Sequence, residues 1–254
     1  STIEGFTIQN GFAQGGWQDP GAYGGGIHCN TSNPTIKNLI ISNNSTDEDG
    51  AGIYISQSNP IIMDMVILNN YASSDGGGIK YESSSGSLRN VRIAGNTAYY
   101  GAGGGISSSY SNLSMQNVII VNNSAASQGG GIRFGFSTIS LINVTIALNS
   151  ATSGNGIYNN ASDLNLTNSI VWNDIYLSTF SSLTAIYSDI QNGWPGIGNI
   201  DVDPLFIDAA NGDYRLSNYS PCIGAGLDTS IVPTTDLDGN LRPNPAGSNP
   251  DMGA

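Results

Sequence analysis

The sequence predicts an all-β fold: a right-handed parallel β-helix of about seven coils of ~26 residues, with an irregular C-terminal segment packed on it. Three observations predict it. First, one short pattern recurs at a nearly fixed interval: Gly-Gly-Gly-Ile at Ile27, Gly-Ala-Gly-Ile at Ile53, Gly-Gly-Gly-Ile at Ile79, Ile106 and Ile132, and Gly-Asn-Gly-Ile at Ile157. The intervals are 26, 26, 27, 26 and 25 residues. Second, Asn38, Asp64, Asn90, Asn117, Asn143 and Asn168 repeat with the same drift, and Asn44, Asn70, Asn96, Asn123 and Asn149 follow it. Third, the segments between these marks alternate apolar and polar at period two, the mark of strands.

Each coil then holds about three short strands. One precedes the Asn38 register, at Ile36, Ile62, Leu88, Met115, Leu141 and Leu166. One follows it, at Leu39/Ile41, Met65/Ile67, Val91/Ile93, Val118/Ile120 and Val144/Ile146. A third opens at the Gly corner, at Ile27/Cys29, Ile53/Ile55, Ile79/Tyr81 and Ile132/Phe134. Short strands cannot bury a face alone, so each must pair with its equivalent one turn later, about 4.8 Å away. Like side chains then form columns, and the Asn38-to-Asn168 series is expected to be a ladder of stacked amides. The Gly corners suit close approach of backbones. A leucine-rich horseshoe lacks its Leu-x-x-Leu-x-Leu pattern here, and a propeller blade needs about 40 residues.

The unit Asn70-Tyr71-Ala72 to Gly76-Gly77-Gly78-Ile79, repeated as Asn123-Ser124-Ala125 to Gly129-Gly130-Gly131-Ile132, resembles the repeat of the chlamydial polymorphic outer-membrane proteins. The tail carries Asp203-Pro204-Leu205-Phe206, Gly212-Asp213-Tyr214-Arg215-Leu216, Ser220-Pro221-Cys222-Ile223-Gly224, Asp236-Leu237-Asp238-Gly239-Asn240 and Asp251-Met252-Gly253-Ala254. In that order they are similar to the terminal module of bacterial secreted choice-of-anchor Q β-helix proteins. The two resemblances imply a secreted or cell-surface bacterial protein and no defined activity, because one fold hosts lyases, hydrolases and adhesins. The expected division is a β-helix over 1–184 and a capping module over 185–254, joined as one unit.

Composition narrows the partners. Seven basic residues stand against nineteen acids, a formal net charge of −12. That balance argues against nucleic acid and anionic membranes, which reward clustered bases. No transmembrane run is present, so no membrane insertion of this segment is expected. The chain opens on Ser1-Thr2-Ile3-Glu4-Gly5-Phe6-Thr7-Ile8, already in strand pattern, which predicts a mature or cut piece of an exported chain. Cys29 and Cys222 read as two buried thiols, with a bridge between them left open.

Aligned coils bring out one exterior column on the strand after the Gly corner: His28, Tyr54, Lys80, Ser107, Arg133 and Tyr158. Rings and cationic donors in line suit a glycan or another surface ligand, and an ordinary solvated face is the competing reading. A second exterior stripe is apolar, through Ile40, Val66, Ile119, Ile170, Leu68, Val121 and Trp172, broken by Arg92. A stripe that long needs a cover. The tail is the expected cover, and self-association is the alternative.

Asp49 and Asp75 precede equivalent corners one coil apart, with Glu48 and Glu82 nearby. Stacking brings them toward the separation that retaining glycosidases use. A lyase would instead recruit Lys80 or Arg133. Against this stand solvated loop acids, or acids holding Ca²⁺. Asp236, Asp238 and Asn240 are further Ca²⁺ candidates, with Asp201 and Asp203 weaker still; Ca²⁺ is the one cofactor the sequence leaves open. With a single histidine a zinc site is not expected. The preferred expectation is an adhesive or glycan-contacting module without catalysis. A carbohydrate-active enzyme and a structural subunit of a surface assembly are the alternatives.

Overall fold

The computed structural model describes residues 1–16 and 19–254. Three parallel sheets run along the coils, and their parallel pairings join equivalent positions one coil apart, a separation of 25–27 residues in the middle coils. The first, here the long sheet, is 12-stranded and spans both sides of the Asn38 register. In the middle coils its two strands fuse, as in Ile61–Leu68, Ser85–Ala94, Asn112–Val121 and Thr138–Ala147. The second, the corner sheet, has five strands of two residues each, such as Tyr71–Ala72 and Thr97–Ala98. The third, the front sheet, has seven strands opening at the Gly corner, including Ile53–Ser56, Ile79–Glu82 and Ile106–Ser109. Register follows the repeat residue for residue: Ile27 pairs Ile53, Ile53 pairs Ile79, Ile79 pairs Ile106, and Ile106 pairs Ile132.

Inward residues of the sheets form one continuous core. Ile36, Ile62, Leu88, Met115, Leu141 and Leu166 line it from one side, and Ile53, Ile79, Ile106, Ile132 and Ile157 from another, all at 2 % exposure or less. Full burial of such a side chain contributes about 1.5–3 kcal/mol, so the columns supply the main driving force. The Gly corner has a steric cause. A Cβ on Gly78 would stand 2.5 Å from the Gly105 carbonyl oxygen of the next coil, and one on Gly52 would stand 2.4 Å from that of Gly78.

The coil turns at four left-handed points, of which only one is regularly glycine. Asn38, Asp64, Asn90, Asn117, Asn143 and Asn168 all have φ between 50° and 54°. Asn and Asp reach this region at the lowest cost after Gly, which explains why the register keeps them. Of the amide ladder expected here, two rungs form, from Asn90 Nδ2 to Asp64 Oδ1 at 2.9 Å and from Asn117 Nδ2 to Asn90 Oδ1 at 3.2 Å. The Asn38 series is a column of outward bends, exposed at Asn38 and Asp64. The continuous internal ladder belongs to the Asn44 series. Asn44 Nδ2 donates to Asn70 Oδ1 at 3.0 Å, Asn70 to Asn96 at 2.9 Å, Asn96 to Asn123 at 2.9 Å, Asn123 to Asn149 at 3.0 Å and Asn149 to Asn173 at 3.2 Å. Each backbone N–H of Asn44, Asn70, Asn96 and Asn123 also donates to the same oxygen, at 3.0 Å. A second ladder, of serines, fastens the other corner. The N–H groups of Ser58, Ser84 and Ser111 donate to the hydroxyls of Ser84, Ser111 and Ser137, each at 3.0 Å.

The last coil shortens. Ile157 pairs Ile175 and Leu164 pairs Leu183, and the last parallel strand, Asp189–Ile190, pairs Ile170–Val171. Beyond it the chain is irregular apart from an antiparallel pair, Phe206–Asp208 with Asp213–Leu216. This segment packs back on the apolar stripe, as expected. Tyr214 joins Ile119, Val121 and Ala147 in one buried cluster, and Cys222 and Met252 join Ile170 in another. The cover stops short of the first coils, where Ile40 is 44 % exposed. Both cysteines are buried and unbridged.

The tail also grips the outward Asn bends. Asn117 Nδ2 donates to the Thr235 carbonyl at 2.7 Å, and Asn143 Nδ2 to the carbonyls of Asp251 and Gly253, both at 3.0 Å. Asn168 bonds the Leu227 backbone in both directions, at 2.9 and 2.8 Å. The terminal Gly253, at φ 87°, lies so close to the stripe that a Cβ would be 2.8 Å from both Ile170 Cδ1 and Thr145 Oγ1.

Candidate functional site

The front sheet sets the predicted exterior column in register: His28, Tyr54, Lys80, Ser107, Arg133, Tyr158 and, beyond the sequence repeat, Tyr176. It is not a uniformly solvated face. His28 is exposed, yet Tyr54, Lys80 and Ser107 are only 7 %, 6 % and 0 % exposed. The expectation of one open stripe from His28 to Tyr158 is therefore corrected at its centre. The physical reason is the segment before each Gly corner, which arches over the strand that follows it.

Two sets of contacts hold these arches down. Tyr23 lies on Tyr54 with ring centroids 4.7 Å apart, and the Tyr54 hydroxyl donates to Glu82 Oε2. Burial first, and then the Glu82 carboxylate, raise the Tyr54 phenol far above its usual range. One coil on, Lys80 stands between the two acids singled out from sequence. Its Nζ is 2.6 Å from Asp75 Oδ2 and 3.7 Å from Asp49 Oδ2. Asp75 Oδ1 accepts from the Ala102 N–H at 2.8 Å, and Asp49 Oδ1 accepts from the Asp75 N–H at 2.8 Å. The side chain of Lys80 is 8 % exposed, those of Asp49 and Asp75 18 % and 25 %.

The same ammonium acts on two unlike carboxyls. Burial raises Asp49, and Lys80 offsets this only in part. Burial also works to raise Asp75, but the charge and hydrogen bond of Lys80, the Ala102 N–H and the Arg133 charge outweigh it, so its carboxyl sits below the usual range. Acids held apart in this way can divide acid and base roles. Here, however, three of the four carboxylate oxygens accept backbone or ammonium hydrogens that fasten the arches. Glu48 lies beside them, half-buried, its carboxyl raised by burial and by Asp49 and Asp47.

The column opens again past Ser107. Arg133 and Tyr158 are half-exposed and Tyr176 is 43 % exposed. Tyr158 and Tyr176 stack at 4.7 Å with planes 8° apart. Arg133 Nη1 donates to Ser109 Oγ at 2.6 Å, which holds the guanidinium along the sheet. At the end of the same strands, Tyr110 and Phe136 stack at 5.0 Å and 7°, with 64 % and 54 % of their surfaces exposed. Sequence reasoning missed this second pair, although the interval from Tyr110 to Phe136 is itself 26 residues. It missed Tyr176 because the short last coil breaks the period.

Asp236, Asp201 and Asp203 serve turns. Both Asp236 oxygens are taken by Asn240, at 2.8 Å from its N–H and 2.9 Å from its Nδ2. Asp201 accepts from the Asn192 N–H at 3.1 Å and Asp203 from the Leu205 N–H at 2.9 Å. Among the described residues no group of three His, Cys, Asp or Glu side chains is placed to hold a metal ion. No helix among the described residues is long and apolar enough to cross a membrane.

The family model of the Chlamydia polymorphic membrane protein repeat matches residues 38–56. The match is shorter than one period and runs from an outward Asn bend across the Gly corner at Ile53. It fits a β-solenoid repeat protein of a kind associated with the outer membrane or cell surface. A search among curated proteins finds no match.

Proposed function

We propose that this chain is a non-catalytic β-helix module of a bacterial surface or secreted protein, and that it contacts glycan through the open end of the front-sheet column. The single observation behind this reading is the ring-and-cation cluster on consecutive coils. Tyr158 and Tyr176 stack face to face beside Arg133, with the exposed Tyr110–Phe136 stack at the adjoining corner. Sugar rings pack on flat aromatic faces, and a guanidinium donates to hydroxyls through a fixed fork of five N–H groups. Side chains on a stacked sheet are pre-organised, so contact costs little ordering entropy. The repeat match and the tail's likeness to choice-of-anchor Q proteins both support a surface or secreted setting. The engagement of Asp49, Asp75 and Lys80 with the arches supports a reading without catalysis.

The test is retention on immobilised polysaccharides, together with an assay for released reducing ends and unsaturated uronates. Tyr158→Ala with Tyr176→Ala should weaken retention about fivefold or more, at roughly 0.5–1.5 kcal/mol per ring, while thermal unfolding shifts little. Tyr54→Ala is the wrong probe, because it removes the support for Tyr23 and Glu82. Retention unchanged in the double variant would reject the site, and release of sugar ends by the wild-type chain would reject the absence of catalysis.

A further inference from the structure

The tail does more than cover the apolar stripe. Between the antiparallel pair, the Asp236–Arg242 turn and the chain end, it borders a half-open cavity of about 630 Å³ against the long sheet. Small-molecule sites occupy about 300–1,000 Å³. This cavity lies on the sheet that carries Arg92 and Ile119, whereas Tyr158 and Tyr176 belong to the front sheet.

Its walls combine opposite polar chemistries. Arg92 and Arg242 both line it, and among the described residues neither has a carboxylate within ion-pair distance. Arg92 Nη2 donates to the Gly212 carbonyl at 3.2 Å and Arg242 Nη1 to Asn117 Oδ1 at 3.1 Å. Each guanidinium carries five N–H donors, so most of these donors remain available. Asp238 and Asp251 supply acceptors. Asp238 is exposed and makes no hydrogen bond within the described chain, and Asp251 spends only Oδ1, on the Gly224 N–H at 2.7 Å. A third acid, Asp213, is neutralised by Arg215 at 2.5 Å. Ile119, Leu237 and Leu241 add apolar surface.

This balance selects a ligand class. A multiply charged anion would meet Asp236, Asp238 and Asp251, and a cation would meet two guanidinium groups. A purely apolar ligand would strip water from those N–H groups without replacing it. A hydroxyl both donates and accepts, so a compound with many hydroxyls and no net charge satisfies both sets of groups. We propose that this cavity is a second binding site, for a neutral saccharide of one or two rings. Arg92 and Arg242 donate to its hydroxyls, Asp238 and Asp251 accept from them, and Ile119 and Leu241 meet its C–H faces.

Isothermal titration of the full chain tests this with maltose, cellobiose, lactose and N,N′-diacetylchitobiose as probes, and glucuronic acid and glucosamine as charged comparators. At least one neutral sugar should saturate a single site per chain and bind more tightly than either comparator. Asp238→Ala and Arg242→Gln should each weaken that binding at least about tenfold, the loss expected for a hydrogen bond to a charged group. The Tyr158→Ala, Tyr176→Ala variant should leave it unchanged, which separates this site from the front-sheet column. Arg242→Gln also loosens the tail from Asn117, so Asp238→Ala, whose side chain makes no hydrogen bond within the described chain, decides. The proposal falls if no neutral sugar saturates, if a charged comparator binds as tightly, if Asp238→Ala binds normally, or if the double tyrosine variant abolishes binding.

Discussion

Two columns of asparagine run along this molecule with identical spacing and opposite roles. The Asn44 series points into the corner, where each amide bonds the next and Asn44, Asn70, Asn96 and Asn123 are at most 1 % exposed. The Asn38 series points outward from left-handed bends. Where nothing covers it, neighbours bond only to each other, as Asn90 Nδ2 does to Asp64 Oδ1 at 2.9 Å. Where the tail lies over it, Asn117, Asn143 and Asn168 are at most 1 % exposed and bond tail backbone. Repetition alone thus builds the inner ladder. The outer column acquires its role from a non-repeating segment, which uses the exposed bends as a docking strip.

The largest effect should come from breaking the inner ladder. Asn96→Leu removes the acceptor shared by the Asn70 N–H and Asn70 Nδ2, and takes the Nδ2 donor away from Asn123 Oδ1 and the Ile67 carbonyl. Each unsatisfied buried group costs about 1–3 kcal/mol, so chemical denaturation should show a loss of about 3–5 kcal/mol. A loss below about 1 kcal/mol would remove the ladder from the account.

The outer column should split in two. Asn143→Gly deletes two bonds to the tail, and Asn38→Gly deletes none. Glycine suits the left-handed bend at both positions, so that gain cancels in the comparison. Asn143→Gly should cost about 1–3 kcal/mol relative to Asn38→Gly and should speed proteolysis between residues 191 and 254. Equal stability of the two variants would contradict the docking strip.

The join between coil and tail also predicts a pH slope. Asp189 is fully buried, and accepts from the Val202 N–H at 3.2 Å and the Cys222 thiol at 3.2 Å. Burial pushes its carboxyl up to about 6, against the pull of those two donors. In the unfolded chain a carboxyl titrates near ~4. The folded state therefore holds the proton more tightly, and this contribution is complete below pH ~4 and lost as pH rises through 6, a fall of about 2–3 kcal/mol. Asp189→Asn should flatten this part of the stability profile and raise stability at pH 7. An unchanged slope would show that Asp189 ionises freely.

The smallest effect belongs to the uncovered stretch of the outer column. Asn90→Gly trades two side-chain bonds, its own to Asp64 and the one it accepts from Asn117, for an easier bend, and should lie within about 1 kcal/mol of wild type.

The fold was legible because a solenoid writes its contacts at one interval: reading Ile27, Ile53 and Ile79 as partners needed only subtraction. The same interval hid which Asn column was internal, since both obey it. That choice depends on where the left-handed turns fall, and Asn serves as either ladder or bend. The column from His28 to Tyr158 was aligned correctly, but its covered centre was not visible. Cover comes from Tyr23 and from Asp49 and Asp75 reaching Lys80, contacts made by arches rather than strands. Tyr176 lay beyond the period, and the cavity against Arg92 arises from tail segments with no repeat at all.

Spin-label distances across the coils test the stacked register most directly. Labels at the exposed bends Thr31 and Phe136, four coils apart, should lie about 19 Å apart at ~4.8 Å per coil, and moving one label from Thr31 to Gln57 should shorten the distance by about one rung. A broad distribution centred beyond about 30 Å, or no shortening with the move, would contradict a chain whose successive turns lie one on another.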